Sequence, residues 1–110
     1  MNTVHPITDQ LEPEELGPAQ IVSGDPETSV LVLARSFDGA ESGLWRCTPG
    51  VVTDTEVTES FLVITGKATI VFEDESSVTV GPGDTHRFEG GEGTTWHVEE
   101  TLLKAYWLRA

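Results

Sequence analysis

Residues 51–66 read VVTDTEVTESFLVITG, and the layout of this stretch decides the fold. It is rich in Val, Thr, Ile and Phe, which suit a pleated, half-buried surface, and it shows no helical apolar period. Neighbouring side chains on a strand point to opposite faces. If no bulge intervenes, Val51, Thr53, Thr55, Val57, Glu59 and Phe61 share one face, and Val52, Asp54, Glu56 and Thr58 the other. The first set is expected to be the inner one. It sends one acid, Glu59, and two hydroxyls, Thr53 and Thr55, toward the interior.

The same texture extends from Ser29 to the last residues. Short runs such as SVLVLARSF, GLWRC, SFLVITG, KATIVFE, SVTVG, THRFE, TTWHVEE and TLLKAYWL alternate with Gly, Pro and acidic turn signals. With VVTDTEVT they predict nine short strands and no helix, hence an all-β antiparallel sandwich or barrel over residues 29–110. Residues 1–28 differ. They carry four prolines and two glycines with no regular apolar period, which predicts an extended N-terminal arm lying over the barrel, with Leu11, Leu16, Ile21 and Val22 as anchors.

Composition sets the surroundings. A chain of 110 residues with 37% hydrophobic content builds one core. The beginning lacks a basic n-region and an apolar h-region, and apolar runs are short, so a soluble, cytoplasmic protein with no membrane partner is expected. The single cysteine, Cys47, permits no internal disulfide and no cysteine-cluster zinc site. Nineteen acidic against six basic residues give a net charge of −13. Such a surface repels phosphate backbones, which argues against a nucleic-acid partner and for a solubilising acidic shell.

Period-two reading of the other runs places Thr94, Trp96 and Val98 inside and His97 outside, and makes Trp45 co-facial with Cys47. VGPGD (80–84) and EGGEG (89–93) read as turns that require positive backbone dihedrals. In SFLVITG, Phe61 and Val63 occupy one face and Leu62 and Ile64 the other, so both sides of this strand need cover. A symmetric homodimer is the commoner way to supply it, and the arm is the alternative.

Four stretches together resemble a known family: SGLWRCTPG (42–50), ESFLVITGKATI (59–70), VGPGDTHRFEGG (80–91) and GTTWHV (93–98). They are similar to successive signatures of the small cupins, within the branch that contains ureidoglycine aminohydrolase cupin domains and the ethanolamine-utilisation cupin. The similarity runs from about Leu16 to Leu108. It implies a double-stranded β-helix (jelly-roll) barrel, usually dimeric, with a small-molecule cavity inside. Metal-loaded cupins place two histidines in H-x-H spacing, a glutamate and a further histidine at positions that correspond here to Thr53, Thr55, Glu59 and Thr94. Threonine hydroxyls are poor ligands for such ions and one carboxylate falls short of the usual ligand count, so no metal and no other cofactor is expected.

The candidate site is then Glu59 as acid or base, with His86, co-facial with Phe88, as a proton partner. Trp45, Thr53, Thr55, Phe61, Phe88, Thr94 and Trp96 are expected to shape a ligand pocket. Desolvation among these rings is expected to raise the Glu59 carboxyl, which suits general acid or base work, while a structural role tying strands together is the competing account. Trp45 and Trp96 suit a planar or cationic ligand, or plain core filling. Cys47 has no activating base and is read as packing, and His5 and His97 as surface residues. Two functions stay open: a metal-independent enzyme on a small amine, ureide or carbonyl compound, and a non-catalytic binder or accessory protein of the same fold.

Overall fold

A computed structural model describes residues 9–109. The strands are β1 (Glu12–Glu14), β2 (Ile21–Gly24), β3 (Thr28–Arg35), β4 (Glu41–Cys47), β5 (Gly50–Thr55), β6 (Glu59–Phe72), β7 (Ser77–Val80), β8 (Thr85–Phe88) and β9 (Gly93–Leu108), with one 3-10 turn at Pro18–Gln20. No helix of the described residues is long and apolar enough to cross a membrane.

All pairings are antiparallel and join into one curled sheet with two halves. In one half, β1, β3 and β4 lead to residues 102–108 of β9, then to residues 59–65 of β6 and on to β8. In the other, β2 and β5 lead to residues 93–98 of β9, then to residues 67–72 of β6 and on to β7. This is a jelly-roll barrel, as the sequence predicts. Its partition differs from the expected one. SFLVITG and KATIVFE are a single 14-residue strand, and TTWHVEE and TLLKAYWL a single 16-residue strand. Two further strands come from residues 12–24, where the sequence shows no strand texture.

Both long strands bend where they cross from one half to the other. The register between β6 and β9 shifts three times between Val63 and Ala68, and Gly66 there has φ +92°. A Cβ on Gly66 would lie 2.1 Å from the Thr101 carbonyl oxygen and 2.7 Å from the Leu102 Cα. Gly66 is therefore needed both for its left-handed backbone and for the closeness of the two chains. Gly83, Gly90 and Gly91, in the turns read from the sequence, also have positive φ.

The core fills the space between the halves with Phe61, Phe88, Ile70, Leu102, Val63 and Cys47, all under 2% exposed. Trp96 and Val98 are buried and His97 is exposed, in agreement with the alternation read for β9. Ile64 and Trp107, on the outer side of the long strands, remain 39% and 50% exposed.

One face assignment is corrected. On β5, Val52 pairs with the buried Trp96 and Asp54 with the buried Thr94, while Thr53 faces Thr95 and Thr55 faces Gly93. Directly opposed residues share a face, so Val52 and Asp54 point inward and Thr53 and Thr55 do not. The period-two argument fails because the strand does not continue. β5 ends at Thr55, and residues 56–58 form a turn in which the Glu56 N–H donates to the Glu92 carbonyl (2.8 Å) and the Gly91 N–H to that of Glu56 (2.7 Å). β6 restarts at Glu59, where Glu59 and Phe61 are again inward and buried.

Candidate functional site

The inner faces of β4, β5, β6 and β9 border a cavity of about 440 Å³. At its floor is a residue that the sequence reading passed over. Lys104 lies on the inward side of β9, in alternation with the buried Leu102 and Tyr106, and is itself only 6% exposed. Its Nζ donates to Glu59 Oε2 at 2.8 Å. It also lies 4.9, 4.8 and 4.7 Å from the ring centroids of Trp45, Phe61 and Trp96. Trp45 is the cross-strand partner of Lys104 and meets Trp96 edge to face with centroids 5.8 Å apart. A buried lysine is rare unless paired. Here one carboxylate and three π faces hold the charge, each ring within cation–π range.

Glu59 is thus inward and buried, and it faces an ammonium rather than apolar walls alone. The desolvated, unpaired carboxyl is a different residue, Glu56, which the sequence placed on the outer face. Its Oε2 accepts both the Thr94 hydroxyl (2.8 Å) and the Trp96 indole N–H (3.1 Å). Burial raises the Glu56 carboxyl above the ordinary carboxylate range; its two hydrogen bonds and Lys104 only partly oppose this. Asp54, beside it, is reached by water at the cavity mouth yet has enough protein around it that desolvation raises its carboxyl too.

On the opposite wall, Tyr106 donates to Glu41 Oε2 (2.8 Å), and Arg35 pairs with Glu41 Oε1 (2.7 Å). The Tyr106 and Arg35 bonds hold Glu41 below the usual range, and burial with the Glu41 bond raises the Tyr106 phenol. The Trp45 indole donates to Glu14 Oε1 (3.2 Å).

Of the residues expected to shape the pocket, Trp45, Trp96, Thr53 and Thr55 border this cavity together with Glu59. The Thr53 hydroxyl is directed to the Gln20 carbonyl (3.5 Å), and Thr55 is exposed. Phe61 supports Lys104 from behind, Thr94 is engaged by Glu56, and Phe88 packs in the core against Phe61 and Trp96, with centroids 5.7 and 6.2 Å away. His86 is not brought to Glu59. Its ring lies against Phe61, Phe72 and Phe88 at 6.1, 5.8 and 5.0 Å and borders a different hollow with Glu73, Asp74, Arg87 and Glu92. Burial pushes the Cys47 thiol up to about 11, against a smaller opposing effect from Lys104, which suits a packing residue. His5 lies outside the described residues.

These residues do not fit a divalent metal. The Thr53 hydroxyl is directed to the Gln20 carbonyl, Thr55 is exposed, Thr94 gives its hydroxyl to Glu56, and an ammonium sits 2.8 Å from the Glu59 carboxylate. Among the described residues no three His, Cys, Asp or Glu side chains are grouped so as to hold a metal ion. The alternation that buries Leu102 and Tyr106 also turns Lys104 inward, whereas Glu56 lies beyond the end of β5, where no strand period reaches it.

The raised Glu56 carboxyl has a consequence for stability. The folded state binds its proton more tightly than the unfolded chain does, so this group's contribution to stability falls as pH rises from the ordinary glutamate value of 4.5 through the higher folded one. Glu56→Gln keeps an acceptor for Thr94 and Trp96 and removes the titration. The variant should gain on the wild type as pH increases from 4 to 8 in thermal melts; parallel pH profiles would contradict the assignment.

Comparison with known proteins gives a consistent picture. The EutQ-like cupin domain matches residues 36–106. A Rhizobium leguminosarum protein of unknown function superposes with a TM-score of 0.66 at 26% identity, over 74% of this chain and 79% of its own. A Pseudomonas syringae protein of unknown function superposes at 0.75 with 24% identity, over 90% of this chain and 44% of that one. The EutQ protein of Clostridium difficile superposes at 0.65 with 14% identity, over 82% and 75% of the two chains. The last two speak for the fold alone. A search of curated proteins gave no significant match.

Proposed function

The chain belongs to the EutQ-like cupin domain family, and from that premise we propose that it binds a small organic cation, of the protonated-amine class, in the cavity above Lys104. One observation carries this reading. The cavity border holds five carboxylates, those of Glu14, Glu41, Asp54, Glu56 and Glu59, against two cations, Arg35 and Lys104. Both cations are already engaged, Arg35 with Glu41 at 2.7 Å and Lys104 with Glu59 at 2.8 Å. The remaining acids make the entrance attractive to positive charge, and a low-dielectric cleft focuses such a field. Trp45, half-buried at the wall, offers an aromatic face of the kind that holds amines.

The test is thermal stability of the native chain against a panel of ethylammonium, putrescine, urea, acetate and ethanol. Amines should raise Tm in proportion to the logarithm of their concentration above Kd, and Asp54→Asn should weaken that binding by about tenfold, as expected for losing a charge-assisted contact of roughly 1.5 kcal/mol. A shift produced by acetate and not by the amines would end the reading.

A second reading, that the cavity also catalyses proton transfer on its ligand, is favoured by the Glu56 carboxyl, which borders the cavity and which burial raises above its ordinary value. In it Glu56 exchanges the proton, and the Lys104–Glu59 pair supplies fixed charge beneath the reacting group. Any activity found would have to be lost in Glu56→Gln while amine binding survives.

A further inference from the structure

We infer that the Lys104 ammonium is this barrel's own central cation, seated at Glu59 where a metal-loaded cupin carries its ion, and that the seat accepts an alkylammonium but not a divalent metal. The cation is covalently built in, so its position does not depend on any ligand in the cavity above it.

The seat has the chemistry of an organic-cation box. One side is a carboxylate oxygen at 2.8 Å. The others are the rings of Trp45, Phe61 and Trp96, with centroids 4.7–4.9 Å from Nζ. Aromatic faces attract a positive charge through their quadrupole and offer no lone pair, so they stabilise an ammonium and cannot complete a metal's coordination shell. A divalent ion placed there would have one first-rank donor and three rings, where a tight site needs three or four donors. The pairing is also sealed, with the Lys104 and Glu59 side chains 7% and 11% exposed, so water is poorly placed to make up the difference.

The lysine also does the electrostatic work of a central ion. Its charge draws down the carboxyls of Asp54 and Glu56 and the thiol of Cys47 against the burial that raises them. One ammonium thus serves acids from β5, from the turn after it and from β6, together with the thiol on β4.

Lys104→Ala opens the seat, and propylammonium is the fragment removed. In that variant propylammonium at about ten times its Kd should raise Tm by about 4–8 °C, since a domain of this size gains roughly that per tenfold excess over Kd. The isosteric n-propanol should do much less, and Mn²⁺ and Ni²⁺ nothing. The rescue should persist in Lys104→Ala/Asp54→Asn, which separates the seat from the amine binding proposed at the mouth. Equal rescue by propanol, or a larger shift with either metal, would overturn the inference. The native chain gives an arm that does not depend on the variant's folding: in equilibrium dialysis it should retain neither Mn²⁺ nor Ni²⁺. One equivalent retained, and lost in Glu59→Gln, would equally overturn it.

Discussion

Lys104→Met should destabilise the protein by about 3–5 kcal/mol, the range found when one partner of a buried ion pair is removed and the other is left uncompensated. Methionine keeps most of the volume and the apolar stem, so packing among Trp45, Phe61 and Trp96 is largely preserved. What changes is Glu59, which is only 9% exposed and loses the Lys104 ammonium that donates to its carboxylate. Domains of this kind are stable by about 5–15 kcal/mol in total, so urea midpoints should fall by a large fraction. Adding Glu59→Leu to Lys104→Met should recover most of the loss, because replacing both members of a buried pair with apolar groups is often neutral or stabilising. A single variant costing under about 1 kcal/mol would show that the pair behaves like an exposed one. Recovery in the double variant would mean that the pair is kept for a reason other than stability, which fits a charge required by the cavity.

The second large effect is expected at Gly66. Gly66→Ala combines a left-handed backbone with a Cβ placed 2.1 Å from the Thr101 carbonyl oxygen. Strain of the first kind costs about 1–3 kcal/mol and overpacking of the second kind a similar amount, so the variant should lose roughly 2–6 kcal/mol or fail to accumulate as soluble protein. Gly83→Ala is the control. It has nearly the same φ, +88°, but no heavy atom within 4 Å of the added Cβ, so only the backbone penalty of about 1–2 kcal/mol applies. If the two variants melt alike, the closeness of β6 and β9 does not matter.

The fold was legible in the sequence because strand alternation is a local property. Trp96, His97 and Val98 fell on the expected sides since β9 runs unbroken through them. The same rule carried across residues 56–58 assumed a continuity that the Glu56–Glu92 turn removes, and so it turned Thr53 and Thr55 inward while leaving Asp54 and Glu56 outside. Glu59 and Phe61 came out right because the assignment was anchored on β6 itself. Lys104 escaped for a different reason. Lysine on a strand is nearly always solvated, and nothing local marks the exception. Its signal is relational: an inward register beside Leu102 and Tyr106, a carboxylate on another strand, and tryptophans on β4 and on β9 itself. Likewise, residues 12–24 pair with β3 and β5 although their prolines and glycines look like coil, because edge strands need only backbone donors and acceptors to join.

That β6 and β9 each belong to both halves of the barrel also limits how the molecule comes apart. No strand boundary exists along which one half could melt while the other stayed folded, since opening either half frees residues of the same two chains. Native-state hydrogen exchange should therefore find the amides of residues 94–98 and 103–107 opening together in one unit, with the flanking β1 and β2 exchanging ahead of it.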